Sequence, residues 1–108
     1  MTSTEFKDLL VAAVDVPVYH ILAAPDEECP VLCWQEISHA HGYGDDAPVW
    51  DVVTVQLDYF TETEYDGFPE ELEAILYEMD VLCEFESQSY DNDRAEWRYI
   101  WRVEFMGG

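Results

Sequence analysis

The sequence predicts an α+β fold. It is read as a single domain over 1–108, with two short helices packed on a mainly antiparallel sheet in the order α-β-β-β-α-β-β. Three observations carry this. Two stretches repeat apolar residues with helical spacing: Phe6, Leu9, Leu10, Ala13 and Val14, then Leu72, Ile75, Leu76 and Met79. Other stretches alternate with the two-residue period of a strand, most strictly Trp97, Tyr99, Trp101, Val103 and Phe105. A length of 108 residues suits one domain with one modest core.

The first helix is expected over 4–14. Thr4 is its candidate N-cap, and Glu5 and Asp8 lie where the helix dipole favours acids. Asp15 and Pro17 end it. Residues 16–22 are β-branched and aromatic and read as a short strand, with Pro17 suited to its start or to a sheet edge. A charged turn follows over 23–30, holding Asp26, Glu27 and Glu28, and then a strand over 30–37. Residues 38–48 carry His, Gly and Asp without periodicity and are expected to form a long, mobile loop.

The longest strand is expected over 49–60. Val53, Val55, Leu57 and Tyr59 share one face, and Thr54, Gln56 and Asp58 the other. An acidic turn over 61–67 leads to Pro69, Glu70 and Glu71, the signature of a helix start. The chain then closes with a hairpin. Its arms are 81–90 and 95–105, and Asp91, Asn92 and Asp93 supply the turn. Trp97 to Phe105 give the second arm a buried aromatic face, and Arg98, Ile100, Arg102 and Glu104 a charged one.

Charge bounds the function. Twenty-five acidic residues face four basic ones, a formal charge of −21. Free binding to DNA, RNA or an anionic membrane is disfavoured, because those partners need Lys and Arg to neutralise phosphate. Such a charge is common in disordered chains, but 49% apolar and 15% aromatic residues in patterned runs indicate a folded one. Self-repulsion favours salt, divalent cations or a basic partner. No run approaches the roughly 20 apolar residues of a membrane helix. The first residues lack the basic region of a signal peptide, so assembly in the cytoplasm is expected. Cys29, Cys33 and Cys83 are odd in number and have no framework spacing, so buried thiols are expected rather than disulfides.

The candidate chemistry is thin. Cys29, Cys33, His39 and His41 are all zinc-competent side chains, but their spacing fits no strong finger pattern. Two core thiols and two loop histidines are the simpler account of them. Asp51 and Asp58 are candidates for a carboxylate pair, against which stands a solvated strand face. Cys33 or Cys83 beside a histidine is open on spacing alone. No Gly-rich phosphate loop, G-x-S-x-G or H-E-x-x-H occurs. The expectation is a chain without catalytic residues, cofactor or metal.

The basic residues are more informative. Arg94, Arg98 and Arg102 fall in the last hairpin arm at even spacing, on one face of a regular strand. They either pair with Glu84 and Glu86 within the subunit or meet the acidic surface of a neighbour in a head-to-tail ring. Tyr43 and Trp50, in and beside the 38–48 loop, are the other candidate subunit contacts. The acidity has three readings. They are a DNA-mimic inhibitor of a host nucleic-acid-binding protein, a salt-adapted protein with a single lysine, Lys7, and a component of a DNA-conducting channel.

Several motifs, in order, resemble one family. They are Val16-Pro17-Val18-Tyr19-His20, Cys29-Pro30-Val31-Leu32-Cys33-Trp34, Gly42-Tyr43-Gly44-Asp45-Asp46 before the strand 50–60, Asp58-Tyr59-Phe60-Thr61 before a Glu-rich helix, and the closing pair 84–90 and 97–105. Over residues 16–105 the chain is similar to the small tail-terminator, or tail-completion, proteins of long-tailed bacteriophages and prophages. The resemblance implies a structural subunit of the virion tail. It implies a homo-oligomeric ring, hexameric in known relatives, that caps the tail tube and meets the head connector. Its partners would be copies of itself, the tail-tube protein and the head–tail connector proteins, with DNA as passing cargo.

Overall fold

A computed structural model describes residues 1–21, 29–44 and 47–107, and over 39–44 and 47–51 the course of the backbone only. The elements are α1 (Ser3–Ala13), β1 (Val18–His20), β2 (Val31–Gly44), β3 (Ala47–Thr61), α2 (Phe68–Glu78), β4 (Leu82–Asp91) and β5 (Glu96–Met106). This is the α-β-β-β-α-β-β order that the periodicity predicts. The five strands form one sheet, ordered β1-β2-β3-β5-β4, in which only the β1–β2 pair is parallel.

Both helices cover the same face of the sheet. On that face Val53, Val55, Leu57 and Tyr59 of β3 stand opposite Phe105, Val103, Trp101 and Tyr99 of β5. Phe6 and Leu10 of α1 and Phe68, Leu72 and Leu76 of α2 join them in one core, together with Leu32 and Trp34 of β2. Phe6 stacks on Phe105 with ring centroids 5.1 Å apart, and Tyr59 lies 4.4 Å from Phe68. The indole N–H of the fully buried Trp101 donates to Glu73 of α2 at 2.9 Å, so its polar atom is satisfied inside the core.

Several expectations are corrected. The N-cap is Thr2, not Thr4: its hydroxyl accepts from the Glu5 N–H at 3.1 Å, and α1 starts one residue earlier than expected. β1 is three residues long, shorter than the 16–22 reading, of which Leu22 lies outside the described residues, as do residues 23–28 of the turn expected at 23–30. The largest correction is the loop at 38–48. The backbone there is strand: β2 runs on to Gly44, and β3 begins at Ala47. Gly, His and Pro in this segment hide the alternation that marks a strand, and bulges at Glu36/Ser38 and Gly42/Tyr43 break what remains of it.

This continuation gives the molecule an arm. β5 pairs with β3 only from Val52 to Thr61. Beyond that point, among the described residues, β2 and β3 pair only with each other, from His41↔Asp51 to Gly44↔Ala47. The molecule measures 53 × 26 × 21 Å, and its radius of gyration is 15.1 Å. A compact domain of this length has about 13 Å.

Candidate functional site

The helix-free face of the sheet carries the arginines. Arg98 and Arg102 lie four apart on β5 and share that face, with Phe60 and Gln56 of β3 as their respective cross-strand neighbours. Arg94 does not join them: it sits in the β4–β5 turn, where its backbone N–H and that of Asp93 donate to the Asp91 carboxylate. The expectation of one three-arginine stripe is therefore corrected to two strand arginines and one turn arginine.

Their partners also differ from those expected. Arg98 binds Asp58 of β3, and its guanidinium carbon lies 5.6 Å from the centre of the Phe60 ring. Asp58 accepts a second hydrogen bond, from Gln56, at 2.8 Å. Asp58 is buried, not a solvated outer-face residue. Arg94 pairs with Glu96 at 3.5 Å and Arg102 with Glu104 at 3.6 Å, both along the chain rather than across to Glu84 or Glu86. Arg98 is thus held by β3, and the exposed Arg94 lies beside the buried Glu96, whereas Arg102 makes a long, half-exposed contact that releases readily. Beside Arg98 lies a groove of about 650 Å³, lined by Ile21, Asp58, Phe60, Tyr90 and Arg94 among others.

Tyr43 and Trp50 lie on the arm. Gly42 is the register partner of Trp50, and Tyr43 that of Pro48. Their side chains fall outside the described residues, as do those of His39, His41 and Asp51.

The cysteines are all thiols, but only Cys33 is fully buried; Cys29 is half-buried and Cys83 exposed. The Cys29 thiol donates to Glu96 at 2.9 Å. Desolvation, then that hydrogen bond and the nearby carboxylates of Glu96 and Glu62, push its pKa up to about 12. Desolvation of the Cys83 sulfur, with the Glu73 carboxylate behind it, pushes that thiol up to about 11, although the residue as a whole is exposed. A thiol raised this far supplies little thiolate at neutral pH. Among the described residues no group of three His, Cys, Asp or Glu side chains is placed to hold a metal ion.

Two features escape sequence reading. The first is the seat of α2. Asp66 accepts from the Tyr59 hydroxyl at 2.7 Å, the Thr61 hydroxyl at 2.8 Å and the Phe68 N–H at 2.9 Å. Burial pushes its carboxyl up, but these three donors outweigh it and hold the pKa below the usual carboxylate range. The Asp66-Gly67-Phe68-Pro69 run was its only sequence signal. The second is the exposure of β4, whose residues are all exposed from Leu82 to Asp91. Its outer edge pairs with no strand among the described residues. Between it and α2 lies a groove of about 790 Å³ lined by Glu73, Tyr77, Glu78, Asp80, Val81, Leu82, Cys83 and Phe85. Among the described residues no helix is long and apolar enough to cross a membrane.

No protein-family model matches this chain, and no curated protein matches it.

Proposed function

We propose that this chain is a structural subunit of a long-tailed phage particle. In this reading it is a ring-forming tail terminator or tail-completion protein that caps the tail tube and joins it to the head connector. The observation that carries the assembly role is the arm. A two-stranded hairpin standing alone is at best marginally stable in water. An arm of this kind gains from being laid against another molecule, and in a ring that molecule is the next subunit. The motif order shared with tail-terminator proteins supplies the identity of the ring.

The charged groups fit a division of labour. Arg98 is committed to Asp58 and serves the fold. Arg102 is free enough to exchange the half-exposed Glu104 for a carboxylate of a neighbour, Arg94 stays beside the buried Glu96 with its own side chain exposed toward solvent, and Tyr43 and Trp50 travel with the arm. A lumen rich in carboxylates lets DNA pass without sticking, since no bound counterions are released there. The subunit would assemble in the host cytoplasm and reside in the virion tail.

Negative-stain electron microscopy of the purified chain in high salt with Mg²⁺ tests this. Closed rings with a central opening are expected, and Arg102→Glu should reduce them. A uniform field of monomers under all salt conditions contradicts the reading. The formal charge of −21 favours a second reading, an acidic mimic of DNA that blocks a host nucleic-acid-binding protein. Such a mimic stays monomeric or dimeric and displaces DNA from a basic protein, which a ring subunit does not do.

A further inference from the structure

We infer that the outer edge of β4, with the groove beside it, is a docking site for an extended basic segment of a partner protein. The segment would add as a sixth strand to the sheet. This goes beyond the ring reading and does not depend on it.

Three observations meet at this edge. First, β4 is a ten-residue strand whose outer backbone edge pairs with no strand among the described residues. A row of unused N–H and C=O groups is a template for strand addition. Second, large apolar side chains stand open beside it: Tyr77 is 85% exposed, Leu82 72% and Phe85 47%. They share one groove with Val81 and Cys83. Successive residues of an added strand point to opposite faces, so alternate side chains of the segment would reach this groove. Third, the remaining groove residues are Glu73, Glu78 and Asp80, and Glu84 and Glu86 stand on the strand itself.

The charges select among the possible occupants. A second copy of this chain would bring Glu84, Glu86 and the same groove carboxylates against their equivalents. Like charges across an interface suppress the wrong partner, and opposite charges admit the right one. The chain's own basic residues do not supply such a segment: Arg98 and Arg102 lie on β5, already paired on both sides within the sheet, Arg94 lies in the β4–β5 turn beside Glu96, and Lys7 lies in α1 beside Asp8. The occupant that satisfies backbone, groove and charge together is an extended segment with apolar residues alternating with Lys or Arg.

Calorimetry with two synthetic peptides of equal charge tests this on the full chain. One is Lys-Val-Lys-Val-Lys-Val-Lys and the other Lys-Gly-Lys-Gly-Lys-Gly-Lys. The valine peptide should bind at least about tenfold more tightly. The double variant Tyr77→Ser, Leu82→Ser should abolish that preference, and both side chains are exposed enough for the fold to tolerate the change. Amide exchange along β4 should slow when the valine peptide binds. Equal affinity for the two peptides overturns the proposal, because it reports general attraction to an acidic protein. So does a preference that survives the double variant, unchanged exchange along β4, or β4 amides that become protected by self-association without peptide. Rings that fail to form under the electron microscope leave this result standing, so the two readings fail separately.

Discussion

Single residues decide whether α2 stays on the sheet. Asp66 joins three donors from β3 and the helix start, two of them hydroxyls of largely buried side chains. Asp66→Ala leaves those donors without their acceptor and should cost about 2–3 kcal/mol, measured by urea unfolding. The sign with pH follows from the lowered pKa. A carboxylate with a folded pKa below its unfolded value of about 3.9 stabilises the protein above that value. The contribution fades as pH falls through the folded pKa. The stability gap between the parent chain and Asp66→Asn should therefore narrow from pH 6 to pH 3; a gap that widens contradicts this account. The arginines divide in the same way. Arg98→Glu sets two carboxylates together at the buried Asp58 and should destabilise the fold by about 3 kcal/mol or more. Arg102→Glu disturbs a half-exposed 3.6 Å contact and should change monomer stability by less than about 1 kcal/mol. Equal losses in a urea titration would refute that division. The sequence shows the arginines but not their roles. Its spacing places Arg98 and Arg102 on one face correctly, yet Asp58 is fixed as the partner by strand order, with β3 rather than β4 supplying the acid. Asp66 is equally hidden, because Tyr59, Thr61 and Phe68 converge on it only when the chain turns between β3 and α2.

At the level of elements, legibility follows packing. The faces of β3 and β5 are plain in the sequence because one side is buried against helices and strict alternation results. α2 is plain because Pro69, Glu70 and Glu71 mark its start and Leu72 and Leu76 its buried stripe. The arm is not plain, for the same reason in reverse. Its strands beyond Val52 pair, among the described residues, only with each other and not with β5, so they stand outside the part of the sheet whose buried face shows as alternation. Residues 38–44 and 47–48 accordingly read as loop and fold as strand. Replacing residues 40–52 by Asn-Gly between the paired His39 and Val53 should give a tight hairpin and leave the core intact. The transition midpoint in urea should shift little, while any self-association should be lost. Unfolding of this variant would show instead that the arm belongs to the core.

At the scale of the whole molecule, charge sets the conditions for both folding and assembly. With 25 acidic residues on a chain of 108, repulsion opposes compaction and, more strongly, the approach of copies. Salt shortens its range from about 30 Å at 0.01 M to about 3 Å at 1 M. The melting temperature should therefore rise by about 5 °C or more over that range; a melting temperature indifferent to salt would mean the carboxylates are too dispersed to matter. The same screening should lower the barrier to ring closure, and the arm should supply the contact once copies can meet. The most direct measurement is the mass in solution by light scattering after size exclusion, for the full chain and for the arm-replaced variant, at low salt and at high salt with Mg²⁺. The account predicts a discrete species of about six subunits for the full chain at high salt, and a monomer for the variant in every condition. A full chain that stays monomeric throughout, or a variant that assembles as well as its parent, would contradict it.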